Sequence, residues 1–364
     1  MKPDQKIIND DILEVVKAVG DEFKKLSGKT LLISGANGLL ASYLVDTVAF
    51  LNGKKILKKP CKVFGLYRSD IKRGDRLSHL LDDPHIKLIQ HDVTQPWCFD
   101  EPIDYIVHAA GRSAPAIFQA EPLATVDVNV KGTRWLLDLA IEKQIKSFLY
   151  FSSGEIYGNP PPEHIPTPET YNGNVSSLDS RACYSESKRL SETLCVIYYR
   201  KYNVPVKIVR PFVVYGPGLE LTDRRVMADF MRSGINNKPI EMLSEGMDTR
   251  SYCYISDATT AFWRVLFSDQ NGEAFNIASD KEEISIKRLA ELVHELCHID
   301  IPVKTPDPKS EKEIGFLKEA PNRVCPDITK IRKMFGYEPK VDIKEGLKRT
   351  INWNLAKLGK SEKM

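Results

Sequence analysis

The stretch "TLLISGANGLLASYLVDTV", residues 30–48, decides how the rest of the chain is read. Five apolar-rich residues run into Gly35 and Gly38, and an apolar helical pattern that carries Ala41 follows at once. The order strand, glycine turn, helix is the context in which a G-x-x-G-x-x-A spacing binds a dinucleotide. Glycine allows a tight turn and close approach of a pyrophosphate, and the first turn of the helix offers backbone N–H groups and the positive end of its dipole.

Working outward, short apolar runs recur between helical stretches: "KVFGLY" (62–67), "IKLIQHD" (86–92), "DYIVHAA" (104–110), "SFLYFSS" (147–153) and "VKIVRP" (206–211). Strands alternating with helices imply a doubly wound parallel sheet, an α/β (Rossmann) architecture with right-handed crossovers. Helical spacing over 7–26 predicts an N-terminal helix that precedes this array. Past residue 216 the alternation weakens, and helical segments near 222–237, 285–297 and 343–357 mix with short strands. The expected organisation is an extension over 1–27, a dinucleotide-binding unit over 28–212 and 238–277, and a smaller, discontinuous α/β substrate domain over 213–237 and 278–355.

Composition narrows the function classes. The 364 residues are 42% hydrophobic and 28% charged, as expected for a globular protein, and a net charge of +3 gives no argument for nucleic acid or a membrane surface. No apolar run reaches the length of a spanning helix, and the N-terminus lacks the apolar core of a signal peptide. Seven scattered cysteines form no CxxC pair and no His/Cys cluster at zinc spacing, which points to free thiols, a cytoplasmic location and no structural metal.

Two further segments carry chemistry. In "RACYSESKRLSETLC" (181–195), Tyr184 and Lys188 are four residues apart on one helical face, where an ammonium beside a phenol favours the phenolate. In "YFSSGEIYG" (150–158), Ser152, Ser153 and Glu155 follow directly on a core strand, an expensive place for an unpaired charge unless it has a partner or a role. The second strand ends in Tyr67 and Arg68, with no acid for ribose hydroxyls. Arg68 suits either a 2′-phosphate or a solvated surface, which leaves NAD and NADP both open.

With these motifs, the chain resembles the extended short-chain dehydrogenase/reductase family, in its nucleotide-sugar epimerase, dehydratase and decarboxylase branches. The resemblance runs from about Lys29 to Trp353. It includes "HAAG" (108–111), "NVKGT" (129–133), "RPFVVYGPG" (210–218), "RSYCYISDA" (250–258) and "PDITK" (326–330). It implies a bound NAD, with NADP as an alternative, and a nucleotide-sugar substrate. The cofactor contacts it implies are Gly35, Asn37, Gly38, Leu39, Arg68, Asp92, Val93, Ala109, Ala110, Gly111, Asn129, Tyr184, Lys188 and Pro211. Tyr184, Lys188, Ser153 and Glu155 fall at catalytic positions. Ser153 and Glu155 also match substrate contacts, as do Arg225, Arg250 and Arg323.

A carboxylate at 155 with Gly154 beside it fits chemistry at C5 of a hexose, and the implied reaction is decarboxylation of a UDP-hexuronate. The 4-epimerase and 4,6-dehydratase reactions, and a non-catalytic dinucleotide-binding protein, are the alternatives. Val213 stands where the family has Asn. The helices over 122–143 and 187–199 would form a four-helix interface in a homodimer. His108 reads as a structural histidine at a strand end.

Overall fold

The computed structural model describes residues 2–69, 71, 75–179, 181–299, 304 and 321–360. Seven strands form one parallel sheet in the order β3-β2-β1-β4-β5-β6-β9. They are β1 (Thr30–Ser34), β2 (Lys62–Tyr67), β3 (Ile86–Gln90), β4 (Tyr105–His108), β5 (Ser147–Phe151), β6 (Val206–Pro211) and β9 (Glu273–Ile277). The inner strands are continuous apolar runs because helices cover both faces, and all five residues of β1 and of β5 are buried. The order turns back between β1 and β4, where Ser34 pairs with Leu66 on one side and His108 on the other. Such a switch point opens a crevice beyond the C-terminal strand ends.

On one face, α4 (Pro122–Lys143) and α5 (Ala182–Tyr202) pack through residues such as Leu136, Leu137, Cys195 and Tyr198. On the other lie α2 (Leu39–Gly53) and α7 (Ile255–Phe267), with Val45, Val48, Phe262 and Trp263 in the core. A short α3 (Pro115–Ala120) leads into α4.

The N-terminal helix is part of this second core. α1 (Pro3–Val19) buries Ile8, Ile12, Val15 and Val19. It ends at Gly20, whose φ of +62° breaks the α-helix, and residues Gly20–Leu26 continue as a 3₁₀ turn. The helix expected over 7–26 is thus two elements, divided by a glycine that the apolar spacing alone does not register.

The chain leaves the large sheet at Phe212 and at once enters β7 (Val213–Tyr215). β7 pairs with β8 (Thr249–Tyr254), and β8 also pairs with β10 (Glu283–Ser285) and β11 (Arg323–Val324). β8 falls within 238–277, the segment grouped with the large sheet from sequence, yet its hydrogen bonds lie in the smaller one. Its four buried residues, Ser251–Tyr254, look like any core strand in sequence, so only the pairing reveals which sheet it joins. Around this sheet stand α6 (Val226–Ile235), α8 (Ile286–Cys297), α9 (Thr329–Phe335) and α10 (Ile343–Lys357). No helix among the described residues is long and apolar enough to cross a membrane.

Candidate active site

Two cavities lie at the C-terminal ends of the strands. The first, about 170 Å³, is lined by Gly35, Asn37, Arg68, Asp92, Val93, Ala110 and Gly111, with Tyr67 and His91 beside them. Gly35 has φ +68°, and a Cβ there would stand 2.7 Å from both Cα and N of Ala110, so only glycine lets the β1 turn pass this close to the end of β4. Gly38 caps α2 without a side chain, leaving the first helical N–H groups open to the crevice. The Thr94 amide and hydroxyl, with Arg68 nearby, outweigh partial burial and hold Asp92 below the usual carboxylate range.

Gly111 joins this cavity to two polar groups further in: a Cβ on it would touch Lys188 Nζ at 3.5 Å and Asn129 Oδ1 at 3.6 Å. Asn129 Oδ1 is buried and has no hydrogen-bond partner among the described residues, while its Nδ2 donates to Ser187 Oγ at 2.8 Å. A buried acceptor left unpaired awaits a donor. The residues present therefore fit a dinucleotide: a helix N-terminus and close glycines for the phosphates, and Asn129 and Lys188 for the part that reaches inward. Ala109 precedes Ala110 in the same turn, and Leu39 opens α2. Pro211 is apart from these and lines the second cavity instead.

That second cavity, about 290 Å³, brings together Ser153, Glu155, Tyr184, Arg225, Arg250 and Arg323, along with Val213. β5 delivers the first two. Ser153 caps the 3₁₀ turn Gly154–Tyr157, its Oγ accepting from the Glu155 amide at 3.2 Å, and this turn aims Glu155 into the cavity. A Cβ on Gly154 would lie 2.7 Å from the Phe212 ring, which leaves no room for an acid there. α5 delivers Tyr184, 4% exposed, with its hydroxyl hydrogen-bonded to Ser153 and its ring stacked on Phe118 at 5.1 Å.

Lys188 departs from its expected part. Its Nζ donates to the Phe151 carbonyl at 2.7 Å and lies 5.9 Å from the centre of the Tyr184 ring. Burial pushes the Tyr184 phenol up to about 12, with the Glu155 charge adding to it and the Ser153 hydrogen bond and Arg225 opposing. Burial also brings the Lys188 amine down to about 7. In this protein alone, desolvation outweighs the lowering that a Tyr–Lys spacing of four implies.

The three arginines differ. Arg250 donates to the carbonyls of Thr249 and Asn322, has no carboxylate partner among the described residues, and is pushed down by burial. Such a cation facing a cavity is an anion-binding group. Arg225 is held by both oxygens of Asp223 at 2.9 and 2.8 Å, and Arg323 by both oxygens of Glu283 at 2.7 and 2.8 Å.

His108 is fully buried, accepts or donates at Nδ1 with Ser34 Oγ at 2.7 Å, and is pushed down to about 3 by burial and Lys188, so it is a neutral structural group. Arg181, which sequence reasoning passed over, donates from Nη2 to Glu155 Oε2 at 3.1 Å. The available signal was its place three residues before Tyr184, at the start of the same helix. Among the described residues no group of three or more His, Cys, Asp or Glu is arranged to hold a metal.

Comparison with known proteins agrees with this geometry. The model of the NAD dependent epimerase/dehydratase family matches residues 31–278. UDP-glucuronic acid decarboxylase 5 of Arabidopsis thaliana is 34% identical over 322 residues, which span 88% of this chain and 88% of that protein. Among solved structures, UDP-glucose 4-epimerase of Thermotoga maritima, determined with UDP-glucose, superposes with a TM-score of 0.75 at 22% identity over 90% of this chain and 99% of that one. The enzyme WbmF of Bordetella bronchiseptica, determined with NAD+ and UDP, gives 0.72 at 22% identity over 92% and 95%. These two likenesses describe the shared fold.

Proposed function

The chain belongs to the NAD dependent epimerase/dehydratase family, and we propose that it decarboxylates a UDP-hexuronate after oxidising it at C4. The observation that carries this reading is Glu155, a carboxylate in one cavity with Tyr184, Ser153 and the carboxylate-free Arg250, and next to a glycine that has no room for a second acid. Its likeness to UDP-glucuronic acid decarboxylases supports the same choice.

NAD, when bound, would accept a hydride from C4 and later return it, and its cationic nicotinamide would favour the Tyr184 phenolate. Tyr184 Oη takes the C4 hydroxyl proton, and the Ser153 hydroxyl holds the C4 oxygen. The ketone at C4 makes the C5 carboxylate that of a β-keto acid. The C5–C6 bond breaks, CO₂ departs, and its electron pair enters the C4–C5 enolate, which Ser153 and Tyr184 hydrogen-bond at oxygen. Glu155 manages the proton that C5 then receives, and Tyr184 gives its proton back to the C4 oxygen as the ketone is reduced to the alcohol of the pentose.

Arg250 binds the pyrophosphate, while Arg225 and Arg323 contact phosphate or ribose after giving up part of their carboxylate pairing. NAD is preferred over NADP, a choice supported by the NAD dependent description of the family, and the exposed Arg68 is the group that would meet a 2′-phosphate. The large sheet serves the dinucleotide and the smaller unit the nucleotide sugar. Exposed Leu190 and Ile197 on α5, with Leu123 and Ile141 on α4, form a homodimer interface, and the protein works in the cytoplasm. Incubation with a panel of nucleotide sugars, followed by product mass, tests the reading. Loss of CO₂ from a hexuronate alone supports it, and isomerisation or loss of water from a hexose supports the epimerase or dehydratase instead.

A further inference from the structure

We propose that Arg181 is a positioning residue for this reaction, holding the Glu155 carboxylate at the wall of the sugar cavity and compensating its charge beside Tyr184. The inference rests on Glu155 and Tyr184 being the working groups.

Glu155 borders two cavities. One is the sugar site, and the other, about 360 Å³, is lined by polar groups that include Asn159, Asn174, Ser176 and Asp179. The side chain is 39% exposed, so packing does not choose between them. What holds the carboxylate in place is the 3.1 Å bond from Arg181, its hydrogen-bond partner among the described residues, which stands with it on the wall shared by the two cavities. Without it the carboxylate is free to turn into the outer cavity, where water and side-chain amides solvate it.

Arg181 is itself held firmly. Its side chain is 10% exposed, and its guanidinium lies over the Phe118 ring at 5.7 Å. That ring also stacks on Tyr184 at 5.1 Å with planes 10° apart, so Phe118 contacts both the cation and the phenol ring. The Arg181 amide donates to Asp179 Oδ1 at 2.6 Å and anchors the start of α5.

The charges facing Tyr184 make this compensation matter. They are Glu155 from the turn after β5, Lys188 on its own helix, Arg225 with its partner Asp223 before α6, and Arg250 on β8. Glu155 opposes the phenolate and Arg225 favours it. Removing the Arg181 cation takes away the ion-pair partner of Glu155, with Arg250 left as a neighbouring cation, and makes the phenolate harder to form.

The test measures kcat and KM across pH for wild type, R181Q, R181K, E155Q and the double variant E155Q/R181Q, with NAD in excess and a UDP-hexuronate as substrate. R181Q is expected to lose kcat by at least ~10-fold with KM within ~3-fold, and to move the acid limb of kcat to higher pH. R181K recovers most of both, and the double variant matches E155Q in rate and limb, because the two residues act as one unit. Should R181Q fail to fold, as melting would reveal, R181M and its combination with E155Q carry the same comparison. An unmoved acid limb, losses that multiply with those of E155Q, or a loss confined to KM overturns the proposal while wild-type turnover leaves the function standing. A wild type inert toward every hexuronate overturns both.

Discussion

Lys188 Nζ donates to the carbonyl oxygen of Phe151 at 2.7 Å, which ties the helix carrying Tyr184 to the strand that delivers Ser153 and Glu155. The bond crosses 37 residues of chain and is buried at both ends. It fixes the depth at which α5 meets β5, and so the hydrogen bond between the Tyr184 and Ser153 hydroxyls. With the amine held near 7 by burial, this lysine is a proton-sensitive strut as much as a cationic neighbour.

Tyr184→Phe keeps the ring stacked on Phe118 and removes only the hydroxyl. Turnover should fall at least ~100-fold with KM little changed, because the group removed acts on a proton and contributes little to ground-state binding. Steady-state kinetics on the wild type and variant check this, and activity within a few-fold of wild type would remove Tyr184 from the mechanism.

Glu155→Gln retains volume and most hydrogen bonding while losing the charge. Oxidation at C4 depends on Tyr184 and Ser153 and should persist, whereas the later step at C5 should fail. The variant is expected to accumulate a 4-keto sugar, detected by mass after quenching, together with the absorbance of reduced dinucleotide. Normal product formation by this variant would take Glu155 out of C5 chemistry and favour the epimerase reading.

Gly35→Ala should lose dinucleotide binding. Its Cβ would meet Ala110 backbone at 2.7 Å in a conformation with φ +68°, a strain on the order of 1–3 kcal/mol before any ligand is considered. Denaturing the purified proteins and identifying what is released should give NAD from wild type and none from the variant. Release of NADP alone from wild type would reverse the cofactor preference.

Asp11 links α1 to three elements, accepting from Tyr43 at 2.9 Å, Tyr254 at 2.8 Å and Arg349 at 3.0 Å. Burial raises its carboxyl from 3.8 to about 6 despite these bonds. Because the folded value is the higher, the folded protein holds the proton over a wider range. Stability from this group is therefore present below pH 4 and declines as pH rises to about 6, by on the order of 3 kcal/mol. Asp11→Asn cannot titrate, so its melting temperature relative to wild type should rise between pH 4 and 6. A difference that is flat across this interval would contradict the assignment.

What the sequence makes legible is local. The glycine turn, the apolar strands and the Tyr184/Lys188 spacing each lie within a few consecutive residues, and each occupies the expected element. Pairings across long separations are not legible in this way. Arg323 neutralised by Glu283, β8 hydrogen-bonded in the smaller sheet, and Glu155 met by Arg181 depend on which segments the fold brings together. The Tyr184 phenol also shows that a motif specifies neighbours without specifying solvation: Lys188 is near, yet burial sets the direction.

Breakage of the C5–C6 bond of a hexuronate at this site can be followed directly. A UDP-glucuronate labelled with heavy carbon at C6, incubated with the purified protein and NAD, tests it most directly. Labelled CO₂ and an unlabelled UDP-pentose should form in equal amounts, with both abolished by Tyr184→Phe. A product that keeps the label on the sugar, as an isomer of the substrate, would contradict it.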